Sequence, residues 1–198
     1  MSNRLNAISP LDGRYGNAVK NLSAFFSESA LMRYRLKVEV EYLISIGNEK
    51  GIHELGPFST TEQTRLRKIY KNFNSACAEK VKRIEAITNH DVKAIEYYLR
   101  DKVKKTLHPW VHFALTSEDV NNLSYSLMWQ DGLQQAYLST LQLVNKELKK
   151  LARKYKKSSM LALTHGQPAT PTTLGKELAV FYARLDRQIK QIKTHKFL

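Results

Sequence analysis

Val120, Leu123, Leu127, Gln130, Gln134, Tyr137, Leu141, Val144, Leu148, Leu151 and Tyr155 follow one another at alternating steps of three and four. This seven-residue repeat, interrupted only by the two glutamines, predicts one long helix with an apolar seam. Gly132 lies inside it, at a cost of about 1 kcal/mol relative to alanine. At 1.5 Å per residue the helix would be on the order of 50 Å long. A compact monomer of this size is only about 35 Å across, taking a radius of gyration of ~16 Å. A helix that outreaches its own domain needs partners along its length. Leu174, Leu178, Phe181, Leu185, Ile189 and Ile192 form a second stripe. Two such seams in a chain of 198 residues predict an oligomeric helical bundle. No stretch reads as a strand pair, so the predicted fold class is all-α.

The remaining elements follow from shorter patterns. Residues 1–26 read as irregular, with Pro10 and Asp12-Gly13 as turn signals. Leu31, Tyr34, Val38 and Leu43 or Tyr42 predict a helix from Ser27 to about Ile46, ended by Gly47, Gly51 and Gly56-Pro57. Thr60 or Thr61 is the expected cap of a helix carrying Leu66, Ile69, Phe73 and Cys77. A further helix is expected from Asp91, with Val92, Ile95, Tyr98, Leu99 and Val103, closed by His108-Pro109. That break divides an N-terminal helical domain, 1–108, from a partial helical-bundle domain, 109–198.

At 42% hydrophobic residues the chain can bury a sizeable core. Its one cysteine, Cys77, excludes a disulfide within the chain and argues against a cysteine-based metal site. A reducing, cytoplasmic setting is expected. No apolar run approaches the ~18 residues that span a bilayer, and the first residues lack the apolar core of a leader, so no membrane partner is expected. The net charge of +14 attracts anions: nucleic acid, phosphorylated metabolites or an acidic part of the same assembly. The basic residues are spread through helical segments as solvated faces and are not interleaved with stacking aromatics. A basic scaffold that binds nucleic acid is the alternative of a different class, and nucleic acid is not the expected partner.

Three segments could carry chemistry. Thr164-His165-Gly166-Gln167-Pro168-Ala169-Thr170-Pro171 interrupts two helical stretches. Thr170 as cap and Pro171 at the first helical position would start the second of them. His165, Gly166 and Gln167 are left over, and a histidine on a rigid turn suits acid–base work near neutral pH, although a loop histidine is by default ordinary surface. Thr116 and Asp119 fit a capping box at the start of the long helix. There Thr116, Ser117 and backbone N–H groups could bind an anion, opposed by Glu118 and Asp119 unless these point away. Asn89, His90 and Asp91 precede another helix, with Asn89 or Asp91 as its natural cap. No metal-ligand spacing, glycine-rich phosphate loop or Ser/His/Asp order stands out.

Taken together, "SPLDGRYG", "ITNHDVKAIEYYL", "HFALTSEDVNNLS" and "THGQPATPTTLGKE" resemble the adenylosuccinate lyases of the fumarase/aspartase superfamily, in that family's order and over essentially the whole chain. The resemblance implies a homotetramer around a long helical bundle. It also implies a lyase of purine synthesis, splitting adenylosuccinate into AMP and fumarate, and the succinyl-carboxamide ribotide into its carboxamide and fumarate. Both are β-eliminations that need no metal or cofactor. His165 matches the family's general acid, flanked by Thr164 and Gln167 as substrate contacts. Arg14 and Tyr15 match contacts to the nucleotide phosphate, Asn89, His90 and Asp91 the second histidine segment, and Thr116 and Ser117 contacts to the carboxylates that leave as fumarate.

Family chains run to more than twice this length. This one, ending at Leu198, has no counterpart of their serine-bearing loop, S-S-x-M-P-x-K-x-N-P. The resemblance therefore implies an N-terminal part that holds the acid but not the base and is inactive alone. Within the superfamily, argininosuccinate lyase and aspartase are the alternatives; the "DGRY" segment favours a nucleotide substrate.

Overall fold

The computed structural model describes residues 8–197. Residues 1–7, the start of the stretch read as irregular, and Leu198 lie outside the described residues. The chain divides into two compact units, one running to Gln130 and one from Asp131.

The first unit is built around a helix buried on almost every side. After a single helical turn, α1 (Ser23–Phe26), α2 runs from Glu28 to Ile46. Its N-cap is Ser27, whose hydroxyl accepts from the Ala30 N–H at 3.1 Å. Leu36, Val40, Leu43 and Ile44 of α2 enter the main core. Around it pack α3 (Thr60–Lys71), α4 (Ser75–Thr88) and α5 (Asp91–Arg100), contributing Leu66 and Tyr70, Val81, and Ile95, Tyr98 and Leu99 respectively. The cap of α3 is Ser59, not Thr60 or Thr61: its side chain and that of Glu62 satisfy each other's backbone N–H groups in a full capping box. His108-Pro109 lies in a 3-10 segment, Lys105–Trp110, and the Val111 that follows is buried in the same core. The 108/109 break therefore falls inside this compact unit. The last element is α6, Ser117–Gly132.

Helical backbone continues past Gly132 through a π turn, Leu133–Tyr137, into α7, Leu138–Lys154. The predicted long helix is thus present, with a wider turn where glutamines and glycine break the seam. Of the seam, only Val120 is buried. Buried positions are Val120, Ser124 and Met128 on α6, and Asn145 and Ala152 on α7. Leu123 and Val144 stay 51% and 50% exposed.

The second unit holds α7, a β-hairpin and α8 (Leu174–Thr194) packed back along α7. The fold is all-α in its bulk, but the hairpin corrects the expectation of no strands. β1 (Ser159–Thr164) pairs antiparallel with β2 (Gln167–Thr173), from Ser159–Thr173 to Thr164–Gln167. Leu161 pairs with Pro171 and Leu163 with Pro168, so Ala169 and Thr170 together face Ala162 in a bulge. A two-stranded ribbon has only edge strands, which tolerate proline. Thr170 and Pro171 therefore do not start a helix. Thr173 caps α8, accepting from the Lys176 N–H at 3.1 Å.

Candidate functional site

The candidates fall into two groups, one in each unit. In the second unit Thr164, His165 and Gln167 come together at the hairpin tip, all exposed. Thr164 and Gln167 are the last paired residues, and His165 and Gly166 form the two-residue turn between them. Both turn residues have positive φ, 49° at His165 and 74° at Gly166. That is the geometry whose twist suits a tight hairpin. Glycine takes it freely, and histidine is among the residue types found there more often than most others. The tip thus presents an imidazole on a short, well-defined support.

In the first unit Arg14 and Tyr15 lie in a turn-rich segment before α1. The Tyr15 N–H donates to the Pro10 carbonyl at 2.8 Å, and the Arg14 guanidinium carbon stands 5.4 Å from the Tyr15 ring centre. Both side chains are exposed, as a phosphate contact requires.

Asn89 and His90 divide the roles expected at the next helix start. Asn89 ends α4 in a left-handed conformation, φ 50°. The cap of α5 is His90, not Asn89 or Asp91: its Nδ1 accepts from the Lys93 N–H at 3.2 Å. With Nδ1 turned to the helix start, Nε2 is the ring nitrogen left for a ligand. Asp91 opens α5, with Oδ1 accepting from the Val92 N–H at 2.9 Å. Its Oδ2 meets Arg35 Nη2 at 2.6 Å. Burial raises the Asp91 carboxyl, but the Arg35 charge and the hydrogen bonds outweigh it and hold the group below the usual carboxylate range.

At the start of α6 the Thr116 N–H donates to Asp119 Oδ2 at 2.7 Å. Asp119 therefore turns back over the helix start, and an anion there would meet the hydroxyls of Thr116 and Ser117 beside a carboxylate.

Two residues of α2 escaped the sequence reading. Arg35 and Glu39 are only 5% and 1% exposed. Arg35 Nε donates to Asn121 Oδ1 of α6 at 2.9 Å, so Arg35 joins the Asp91 segment to the helix that starts after Thr116. Glu39 Oε1 meets His112 Nδ1 at 2.5 Å. Tyr42, one turn on, donates its hydroxyl to the Phe113 carbonyl at 2.9 Å. His112 and Ala114 both have positive φ, 62° and 56°. Charges alternate along this part of α2, at Arg33, Arg35, Lys37, Glu39 and Glu41, and no local signal marks Arg35 and Glu39 as the two that are buried. Among the described residues no group of three His, Cys, Asp or Glu side chains is placed to hold a metal ion, and no helix is long and apolar enough to cross a membrane.

Comparison with known proteins assigns this arrangement to a family. The chain is 45% identical over 199 residues to an adenylosuccinate lyase of Haemophilus influenzae, covering 98% of this chain and 44% of that protein. It is 45% identical over 193 residues to an adenylosuccinate lyase of Legionella pneumophila, covering 95% of this chain and 42% of that protein. It thus spans less than half the length of the curated relatives it matches. A solved fumarate lyase from a Mesorhizobium species superposes with a TM-score of 0.68 at 20% identity, over 88% of this chain and 39% of that one, a likeness of fold. A family model described as lyase matches residues 13–196, nearly the whole chain, and the chain therefore belongs to the lyase family.

Proposed function

We propose that this chain is the acid-bearing part of an adenylosuccinate lyase, which releases fumarate by β-elimination from adenylosuccinate, giving AMP, and from the succinyl-carboxamide ribotide of purine synthesis. The observation that carries this reading is the 45% identity to an adenylosuccinate lyase along 98% of the chain. In the reaction a base removes the proton on the carbon beside a carboxylate, the carbon–nitrogen bond breaks, and an acid protonates the departing nitrogen. His165 is the proposed acid, and its place on a two-residue hairpin turn supports that role, since a proton donor must be held at a fixed point. Thr164 and Gln167 beside it are proposed substrate contacts. His90, whose Nε2 is left free of the helix cap, is a proposed hydrogen-bond partner of the substrate, with Asn89 and Asp91 framing it. The Arg14 fork suits a phosphate, with Tyr15 beside it. Thr116 and Ser117 offer hydroxyls to the carboxylates that leave as fumarate. The base is not among the residues assigned here, so the isolated chain is expected to release no fumarate.

The same reading proposes a homotetramer in the cytoplasm, with purine nucleotide and fumarate as ligands and no cofactor. The half-exposed Val144 on α7, with Leu143 beside it, and the exposed Phe181 on α8 support assembly through the apolar seams. The test replaces the matching 199 residues of the Haemophilus influenzae enzyme with this chain and follows fumarate release. His165→Ala is expected to cut turnover by roughly 10²–10⁴. His165→Asn should do the same while keeping the hairpin, because asparagine accepts the left-handed turn conformation. Near-normal turnover in either variant would remove His165 from the acid role.

A further inference from the structure

Three helices of the first unit meet at a small valine cluster. Val38 of α2, Val92 of α5 and Val120 of α6 are buried against one another. Each has a polar neighbour on the same junction. Arg35 lies one turn before Val38, Asp91 directly precedes Val92, and Asn121 directly follows Val120. The Arg35 guanidinium joins the other two, with Nη2 2.6 Å from Asp91 Oδ2 and Nε 2.9 Å from Asn121 Oδ1. Apolar contact among the valines can bring the helices together but fixes neither sliding nor rotation. Two bonds from one planar fork do fix them, because the fork's donors point in set directions. A guanidinium this deeply buried is a poor device for stability alone, since apolar residues of similar size often hold such a junction as well or better. Its distinctive product is register.

What that register governs follows from the neighbours. Asp91 stands beside His90, whose ring caps α5, and Asn121 lies one turn beyond Thr116 and Ser117. We propose that Arg35 is a positioning residue of the substrate site: it holds the His90–Asp91 helix start against the Thr116–Ser117 helix start, so that both present their polar groups to one ligand. This rests on the lyase reading above. Arg35 itself is buried and touches no substrate; it acts through Asp91 and Asn121.

The test uses the Haemophilus influenzae chimera. Arg35→Met keeps the length and apolar stem but removes the fork. Its KM for adenylosuccinate is expected to rise about tenfold or more, with kcat changed less, because the groups it releases are binding groups. Arg35→Lys can reach one partner but not both, and should fall between. A purely structural Arg35 would lower the melting temperature of both variants and leave KM and kcat unchanged below it; that result, or an unchanged kcat/KM in Arg35→Met, overturns the proposal. If the parent chimera releases no fumarate from adenylosuccinate, the functional reading falls and the positioning claim is decided separately. Hydrogen–deuterium exchange on this chain is then compared with its Arg35→Met variant. Faster exchange is expected in both 89–93 and 117–123. A change confined to α2 overturns the claim.

Discussion

Gly175, the second residue of α8, sets how closely the two helices of the second unit approach beneath the hairpin. A Cβ built there would stand 2.5 Å from the Ala152 carbonyl oxygen, 2.5 Å from Lys156 Cα and 2.6 Å from Lys156 N. All three are backbone atoms, so no side chain can swing aside. Ordinary contact begins at 3.4 Å, and α8 would have to withdraw by about 0.9 Å. Two hydrogen bonds run along that line: Leu174 N–H to the Ser158 carbonyl and Gly175 N–H to the Tyr155 carbonyl, both 3.0 Å. Withdrawal stretches both beyond bonding distance. Losing them costs about 0.5–1.5 kcal/mol each, and overpacking of this kind costs about 1–3 kcal/mol in its own right. These costs overlap, since the bonds break in order to relieve the strain. Alanine's better helix propensity returns up to about 1 kcal/mol. The net expectation for Gly175→Ala is a loss of about 2 kcal/mol, which for a chain of this size lowers the melting temperature by about 4–8 °C. Circular dichroism melts measure it directly. Hydrogen exchange should localise the loosening to 152–158 and 173–177. A variant as stable as the parent would refute the close approach and with it the rigid base assigned to the His165 turn.

Ser59→Ala removes the hydroxyl that accepts from the Glu62 N–H, leaving the Ser59 N–H to Glu62 carboxylate half of the α3 capping box, and should destabilise by about 1 kcal/mol, while Thr60→Ala and Thr61→Ala stay near neutral; equal effects at the three positions in denaturant titrations would contradict the cap assignment. Burial pushes the Glu39 carboxyl above the usual carboxylate value, against the pull of the His112 hydrogen bond. The folded chain therefore holds that proton more tightly than the unfolded chain. The group's contribution to stability is greatest below the ordinary value of ~4.3 and declines as pH rises through the raised one. Glu39→Gln should flatten that decline in denaturant titrations across pH, and an unchanged slope would show that Glu39 is not the group responsible.

The helices were legible because each rule behind them is local. Periodicity placed α2, α5 and the long α6–α7 stretch, but the one helix expected to carry Leu66, Ile69, Phe73 and Cys77 is two, α3 and α4, with Asn74 capping the second. The errors at Thr60, Asn89 and Thr170 share one cause: several cap-competent residues stood side by side, and only three-dimensional geometry chose among them. The hairpin was hidden for a different reason. Its strands are mostly exposed and so lack the alternation that betrays a half-buried strand, and Pro168 and Pro171 speak against any strand with two neighbours. What remained visible was the oddity of His165-Gly166, a two-residue step ending in glycine, which is itself a hairpin signal once strands are admitted on either side.

Arg35 and Glu39 were illegible in another sense. Their partners lie 56, 86 and 73 residues away, at Asp91, Asn121 and His112, and no local pattern encodes such pairings. The sequence nevertheless contains half of the inference. Five charges alternate from Arg33 to Glu41 on a helix buried on most sides, so some of them cannot reach water, and a buried charge must find an opposite charge or a hydrogen-bond partner. The chain offers those partners mainly in its polar helix starts and the loop before α6. The same polar clusters that drew attention as candidate binding segments are therefore also what makes α2's charges tolerable. Site geometry and core architecture are coupled in this unit, and a substitution at Arg35 should be felt in binding before it is felt in folding.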